Sequence, residues 1–136
     1  MVDKNMYLTL IDKAISAREH SYSPYSKFKV GASILCDDSK IFSGCNVENV
    51  SYGGSNCAER TAIFKAVSEG YNKIYALCVV GSFEDYTYPC GICRQVMIEF
   101  AYDNNIPIIV AKNKEEYMVH NLKEILPFGF TKNNLI

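Results

Sequence analysis

Four residues of this 136-residue chain have types and spacings that suit metal binding or catalysis. Cys57 and Glu59 stand two positions apart where an apolar helical pattern begins. Cys90 and Cys93 form a C-x-x-C pair that follows Pro89 at the start of a second such pattern. Residues that share a helix face are three or four positions apart, so Cys57 and Glu59 do not line one stripe. Side chains of a first turn can lean over the helix end, which favours a site above that end.

The C-x-x-C pair alone leaves three interpretations open. "PCGIC" superficially resembles the thioredoxin active-site motif, which is a dithiol redox pair. A structural zinc site would use the pair as two of four protein ligands. The two cysteines can also be incidental buried residues. The pair by itself does not separate metal chemistry from redox chemistry.

Cys57 favours the metal. It lies at a helix start that is separated from Cys90 by one strand and its connections. If the two helices pack side by side on a sheet, their N-termini bring three sulfur atoms together. A helix N-terminus carries about half a positive charge, and both this field and a metal lower the pKa of a thiol. Three protein ligands leave zinc an open fourth position, which marks a catalytic site.

Glu59 gains a role beside such a metal. Water bound to zinc has its pKa lowered toward about 7, and its use as a nucleophile still requires a proton acceptor within reach. A carboxylate over the same helix end can take that proton and pass it to a leaving group. A carboxylate in a first turn can also serve only to stabilise the helix, through its interaction with the positive end of the helix dipole. Beside three cysteines, the catalytic interpretation is the better one.

The elements that must position these residues follow from hydrophobic periodicity and turn signals. Strands that alternate with helices predict one layered α/β domain with a mixed sheet over 1–136. We expect Asn56 or Cys57 to cap the second helix and Gly70 to end it. The predicted elements are a helix at 4–20, strands at 28–36 and 40–48 joined by a hairpin turn, a helix at 57–69, a strand at 73–81, a helix beginning near 90, strands at 107–112 and 116–121, and a short helical turn at 122–128.

Composition narrows the function classes. The chain is 49% hydrophobic and 21% charged, with a net charge of −1 and no block of like charge, which argues against electrostatic binding of nucleic acid or of a membrane surface. No apolar run is long enough to span a bilayer, and the amphipathic N-terminal segment is not a signal peptide. We therefore expect a cytoplasmic protein, in which Cys36 and Cys78 are small buried residues of strands.

Three motifs together closely resemble the small, homotetrameric cytidine deaminases. They are "CAER", "PCGICRQ" and "NVEN", and the likeness runs along nearly the whole chain, from "YSPYSKFKVGA" to "ILPFGF". The resemblance implies a three-layer α/β/α fold with a mixed five-stranded sheet flanked by helices. It also implies one Zn²⁺ per chain, cytidine and deoxycytidine as substrates in pyrimidine salvage, and a homotetramer that binds neither nucleic acid polymers nor membranes.

The resemblance assigns the metal site and the reaction. Cys57, Cys90 and Cys93 would bind zinc as thiolates. Glu59 would shuttle protons while zinc-bound hydroxide attacks C4 of the pyrimidine and ammonia leaves. Zinc and three thiolates sum to a net negative charge, which raises the pKa of bound water. In the family the arginine equivalent to Arg60 offsets part of that charge, so the same role is implied here.

The resemblance also implies how the substrate is held. Asn46 and Glu48 would hydrogen-bond the sugar hydroxyl groups, as an amide and a carboxylate can. The remaining implied roles are packing of Phe28 and Phe130 on the nucleoside, contact of the Ala58 backbone with the pyrimidine edge, and completion of a neighbouring subunit's pocket by Tyr25 and the C-terminal segment.

Rival functions stay open at this point. An aminonucleoside-antibiotic deaminase of the blasticidin type shares the zinc motifs, but Glu48 favours a ribose hydroxyl. Polynucleotide editing would require a basic, aromatic-rich path, which the sequence lacks. A non-catalytic structural zinc module would need a fourth protein ligand, for which Cys45, His20 and His120 are the nearby candidates by type. The redox alternative predicts a disulfide within the C-x-x-C pair and no metal.

Overall fold

The chain is described over residues 2–135 by a computed structural model. Four α-helices and five strands lie within these residues. In chain order the elements are α1 (Lys4–Arg18), β1 (Gly31–Cys36), β2 (Ile41–Cys45), α2 (Ala58–Ser68), β3 (Ile74–Val80), α3 (Gly91–Phe100), β4 (Pro107–Ala111), β5 (Tyr117–Asn121) and α4 (Leu122–Ile125).

The strands form one mixed sheet in the order β2-β1-β3-β4-β5. Strand β1 is antiparallel to both β2 and β3, β3 is parallel to β4, and β5 is antiparallel to β4. The parallel pair requires a crossover, and α3 supplies it. The mixed five-stranded sheet implied by the family resemblance is therefore confirmed.

Both faces of the sheet are covered, which confirms the three-layer α/β/α arrangement. Residues of β3 alternate between two separate cores, so its sequence reads as a continuous apolar run. One core packs α1 against the sheet, and its buried members are Leu10, Ile11, Ala14, Leu35, Ala76, Cys78, Val80, Ile109 and Ala111. The other core packs α2 and α3 against the opposite face and includes Ile34, Ala62, Ile63, Leu77, Val79, Cys93 and Met97.

Gly44 allows α2 to lie close to β2. A Cβ atom at Gly44 would stand 2.7 Å from the backbone nitrogen of Ala62 and 2.8 Å from the Thr61 side chain. No side chain fits in that space, so a larger residue would push the helix away from the sheet. The height of the first turn of α2 above the sheet therefore depends on this glycine.

Most element boundaries agree with the sequence analysis to within a few residues. Helix α2 has Cys57 as its N-cap, and Gly70 beyond its end has φ +95°, a left-handed conformation that suits glycine. The first strand begins at Gly31 and not at 28, because Asn46 binds the backbone of Phe28 and Val30 with its side chain. Within residues 2–135, no helix is long and apolar enough to cross a membrane.

Candidate active site

The site lies where the N-termini of α2 and α3 meet. Cys57 is the N-cap residue of α2 and Cys90 is the N-cap residue of α3, and both have extended backbone dihedrals. Neither side chain makes a capping hydrogen bond to its own helix. Their sulfur atoms point to each other across the two helix ends and are 3.8 Å apart. Cys93, one turn into α3, completes the cluster, and all three sulfurs lie within 4.8 Å of one another.

The donor set fits zinc. Zinc binds thiolates at about 2.3 Å in tetrahedral geometry, which places two sulfur ligands about 3.8 Å apart. The Cys57 and Cys90 sulfurs already have that separation. Within the described part of the chain, no fourth His, Cys, Asp or Glu joins the group. His20, Cys45 and His120 are outside it, so the residues that a structural zinc module would require are not brought together.

The environment of Cys57 favours a thiolate. Its pKa is lowered to about 5, first by the hydrogen bond with Cys93 and further by Arg60 and Cys90. The pKa of Cys93 is raised in return, because that residue donates its proton toward Cys57 and is buried. All six cysteines have free thiols, so the disulfide of the redox alternative does not form in this structure.

Arg60 lies against the sulfur cluster. Its Nη2 atom donates to Cys57 Sγ at 3.3 Å. Burial alone would lower the pKa of Arg60, but its hydrogen bonds to Cys57 and Cys93 outweigh burial and raise the pKa. A permanent positive charge therefore lies beside the thiolates, where the sequence analysis expected it.

Glu59 is a buried carboxyl group on the first turn of α2. Its exposed fraction is 4%, and burial is the main cause that raises its pKa to about 7. The negative charge of Cys57 raises it further. A carboxyl group whose pKa lies near neutrality can both accept and donate a proton at physiological pH. Among residues 2–135, the buried polar residues are Glu59 and Ser33. The Ser33 hydroxyl donates to Leu10 O, so it has a partner within the core.

A cavity of about 240 Å³ opens directly beside these residues. It brings together most of the residues that the sequence analysis assigned to the substrate. Phe28, Asn46, Glu48 and Ala58 all line it, together with Glu59 and the two cap cysteines. Phe28 is 43% exposed, so its ring has free surface to offer a ligand.

Asn46 is already bound on most of its polar atoms. Its Oδ1 accepts hydrogen bonds from Val30 N at 2.9 Å and from the Ser21 hydroxyl, and its Nδ2 donates to Phe28 O at 2.8 Å. An amide has two donor hydrogens, and only one of them is used in these contacts. Asn46 therefore holds the segment that carries Phe28 and retains one donor for the cavity.

Glu48 holds the same segment slightly earlier along the chain. Its Oε1 accepts from Tyr25 N at 3.0 Å and from Ser26 N at 3.1 Å, while its Oε2 accepts from the Ser26 hydroxyl. The hydrogen bond from the Ser26 side chain is the main cause that lowers the pKa of Glu48. The carboxylate is thus fixed in its charged form at the edge of the cavity.

Two predicted residues lie apart from this cavity. Tyr25 lines a neighbouring recess of about 340 Å³ and packs edge-on against Tyr52, with ring centroids 6.4 Å apart. Phe130 is 58% exposed, and its carbonyl oxygen accepts from Gln95 of α3. It does not line the cavity of its own chain, so its predicted contact with the nucleoside requires another subunit.

Thr87 and Tyr88 also line the cavity, although the sequence analysis made no prediction for them. They lie in the connection between β3 and α3, immediately before the proline that precedes Cys90. The one available signal was their position beside a metal ligand, because the segment has no motif of its own.

Comparison with known proteins agrees with this geometry. The family model for the cytidine and deoxycytidylate deaminase zinc-binding region matches residues 4–110. The cytidine deaminase of Sporosarcina psychrophila is 45% identical over 126 residues, covering 93% of this chain and 92% of the relative. The probable cytidine deaminase of Dictyostelium discoideum is 39% identical over 127 residues, covering 93% of this chain and 84% of the relative.

Solved structures show the same similarity. The crystal structure of cytidine deaminase from Burkholderia pseudomallei superposes with a TM-score of 0.82 at 46% identity, covering 90% of this chain and 97% of that one. The crystal structure of cytidine deaminase from Mycobacterium tuberculosis has a TM-score of 0.80 at 38% identity, covering 96% of this chain and 98% of that one.

Proposed function

Because this chain belongs to the family of zinc-binding cytidine and deoxycytidylate deaminases, we propose that it hydrolyses cytidine to uridine and ammonia in the cavity beside the N-termini of α2 and α3. The relatives named cytidine deaminase, at up to 45% identity over most of the chain, support this reaction. One observation carries the proposal. Three cysteine sulfurs lie within 4.8 Å of one another, next to a carboxyl group that is 4% exposed.

Cys57, Cys90 and Cys93 hold the metal in this proposal. Zinc bound there supplies a Lewis acid that lets water react near neutral pH. The sulfurs themselves keep the metal at the two helix ends, where the helix dipoles favour negative charge. Arg60 donates to Cys57 and withdraws charge from the sulfur, so that the three thiolates weaken the Lewis acid less.

Glu59 moves the protons. Its buried carboxyl group lies beside the sulfur cluster and lines the cavity, so it can accept a proton from water and deliver it to ring nitrogen N3. It then transfers the remaining hydroxyl proton to the amino group at C4, so that ammonia leaves as the C4 carbonyl of uridine forms. Burial excludes bulk water from Glu59 and so directs its proton to the substrate.

The remaining cavity residues orient the nucleoside. We assign the sugar hydroxyls to the unused amide hydrogen of Asn46 and to the carboxylate of Glu48, because both groups line the cavity in fixed positions. Phe28 offers an exposed ring to the base, and the buried backbone at Ala58 lies beside Glu59, where the reacting edge must be. We assign the Asn46 and Glu48 groups to the 3′ side of the sugar, where they do not test the 2′ position, and therefore propose deoxycytidine as a second substrate.

A homotetramer completes the site in this proposal. Several large apolar residues near the cavity are exposed, among them Tyr22, Tyr25, Val50 and Tyr52. A neighbouring subunit that covers them would also bring a second chain to the cavity, which is the role we assign to Phe130. The molar mass in solution tests this, and a mass equal to one 15.3 kDa chain would contradict it.

We also propose that residues 1–136 act as one catalytic domain in the cytoplasm, within pyrimidine salvage. One sheet carries both cores, which supports a single unit. A site built from thiolates needs a compartment that keeps cysteines reduced.

The decisive experiment is a deaminase assay on the zinc-loaded chain, followed by loss of cytidine absorbance and release of ammonia. Glu59→Gln is nearly isosteric, so it should retain zinc and lower turnover by about 10²–10⁴-fold. Zinc bound at one per chain without deamination would contradict the proposal and favour a structural zinc module. Faster turnover of an aminonucleoside antibiotic than of cytidine would assign the rival deaminase function.

A further inference from the structure

Tyr88 and His120 form a pair that none of the roles above uses. Tyr88 Oη and His120 Nε2 share a hydrogen bond of 2.9 Å, and their ring centroids are 5.4 Å apart. His120 lies on β5 at the edge of the sheet, and Tyr88 lies two residues before Cys90. The pair therefore joins the edge strand to the loop that leads into α3.

Tyr88 lines the same cavity as Phe28, Ala58 and Glu59. Its exposed fraction is 39%, so some of its surface is available to a ligand although its hydroxyl is engaged. Flipped or free bases are held in enzyme pockets by stacking between aromatic and apolar side chains. The cavity thus offers a pyrimidine two aromatic side chains, and the family resemblance accounts for one of them.

The surroundings fix the orientation of Tyr88. The hydrogen bond to His120 holds the tip of the ring, and the contact between the two rings holds its side. The backbone next to it is also tied down, because Arg94 donates through Nε to Pro89 O at 2.7 Å and through Nη1 to Ile125 O at 2.7 Å. The ring is therefore preset before any ligand arrives.

On the basis of the proposed function, we propose that Tyr88 contacts the pyrimidine of the bound nucleoside and that His120 is a positioning residue that acts through the Tyr88 hydroxyl. A preset ring lowers the ordering cost of binding. The ring meets the base in cytidine and in uridine alike, so loss of the hydrogen bond weakens the binding of both. It leaves the metal and the proton transfers of Glu59 untouched, so KM changes and kcat does not.

Four variants and a matched control test this inference on the zinc-loaded protein. Tyr88→Phe removes only the hydroxyl, His120→Leu removes its partner, and the double variant removes both. His120→Gln offers an amide that can reach the same hydroxyl. Tyr75→Phe is the control, because Tyr75 also has a bonded hydroxyl, with Asp37 Oδ1 at 2.6 Å, but does not line the cavity.

The readouts are the Kd for uridine by calorimetry, KM and kcat for cytidine, and zinc per chain. We expect each single loss to raise Kd and KM by about threefold to tenfold, which is the usual worth of one hydrogen bond. The double variant should be no worse than either single variant, because both remove the same bond. His120→Gln should recover most of the affinity, and Tyr75→Phe should match the wild type.

Uridine Kd values equal to the wild-type value in Tyr88→Phe and His120→Leu would overturn the inference. Loss of zinc from these variants would also overturn it, because the pair would then support the metal loop and not the ligand. A wild-type protein that binds uridine but does not deaminate cytidine would contradict the proposed function only. In that case the uridine Kd values of the variants would still test the role of Tyr88.

Discussion

Arg60 Nη2 donates a hydrogen bond to Cys57 Sγ at 3.3 Å, three residues away along the first turn of α2. Spacing of three places two side chains on one helix face, so the same turn carries a cysteine of the sulfur cluster and the arginine that we propose compensates its charge. Arg60 Nε is buried and has no partner among the residues that the structure describes. A buried guanidinium nitrogen without a partner is costly, which indicates that the contact with sulfur decides where this side chain lies.

We therefore predict that Arg60→Ala lowers turnover by roughly tenfold to a hundredfold, the worth of one charge-assisted hydrogen bond. Without the guanidinium, the thiolates donate more charge to zinc and the bound water is less acidic. The measurement is kcat for cytidine at verified zinc content. Arg60→Lys, which keeps the charge but not the fork of donors, should lose less. Unchanged turnover of the alanine variant at full zinc occupancy would contradict the prediction.

The effect of a cysteine substitution on zinc affinity should depend on whether that cysteine belongs to the sulfur cluster. Cys93→Ser should lower zinc affinity by more than about a hundredfold, beyond the effect of losing an outer-shell partner, because a serine hydroxyl is not ionised at neutral pH. Cys45→Ser is the control, since Cys45 is also a free thiol but is not in the sulfur cluster. Metal content after dialysis against a weak chelator measures the difference. Equal loss in both variants would contradict the assigned ligand set.

The positions of Cys57 and Cys90 could be predicted from sequence because each precedes an apolar helical pattern after a loop. Periodicity located the two helices, and packing them on one sheet left their N-termini side by side. The C-x-x-C spacing added Cys93, and the family resemblance added the role of Arg60. The local sequence pattern was therefore sufficient to predict residues whose role depends only on their position at the end of their own helix.

The contacts of Asn46 and Tyr88 could not be predicted in the same way. Asn46 binds Val30 and Phe28, 16 and 18 positions earlier, and Tyr88 binds His120, 32 positions later. No periodicity encodes such pairings, because they depend on how loops lie against the finished sheet. The proposed contact of Phe130 with a nucleoside depends on a further level, the arrangement of subunits in the proposed homotetramer, which a single chain does not contain.

Glu59 should make the stability of the zinc-free protein depend on pH. Its pKa in the folded chain is about 7, above the ordinary value of 4.5, so the folded state favours the protonated carboxyl. The contribution of the protonated carboxyl to the free energy of unfolding is fully present below pH 4.5 and is lost as the pH rises through 7. The free energy of unfolding of the wild type should therefore fall by about 3 kcal/mol relative to Glu59→Gln across this interval.

Urea unfolding of the chelator-treated protein at a series of pH values measures this difference. Glu115→Gln serves as the control, because Glu115 is exposed and the same substitution there removes no buried carboxyl group. A constant difference between wild type and Glu59→Gln from pH 4.5 to 7 would show that Glu59 is not desolvated in solution.

Asn46 should affect substrate affinity and the order of the segment at 21–30 together. Its side chain accepts from Val30 N and donates to Phe28 O, so Asn46→Ala frees both backbone groups as well as the proposed sugar contact. We expect KM for cytidine to rise about tenfold and amide exchange at Val30 to accelerate about twofold to tenfold, since each hydrogen bond contributes roughly 1 kcal/mol. Asn134→Ala is the control, because its side chain also accepts a backbone hydrogen bond, from Thr131, away from the cavity. A raised KM with unchanged exchange at Val30 would mean that Asn46 acts on the sugar alone, whereas faster exchange with unchanged KM would remove it from the substrate site.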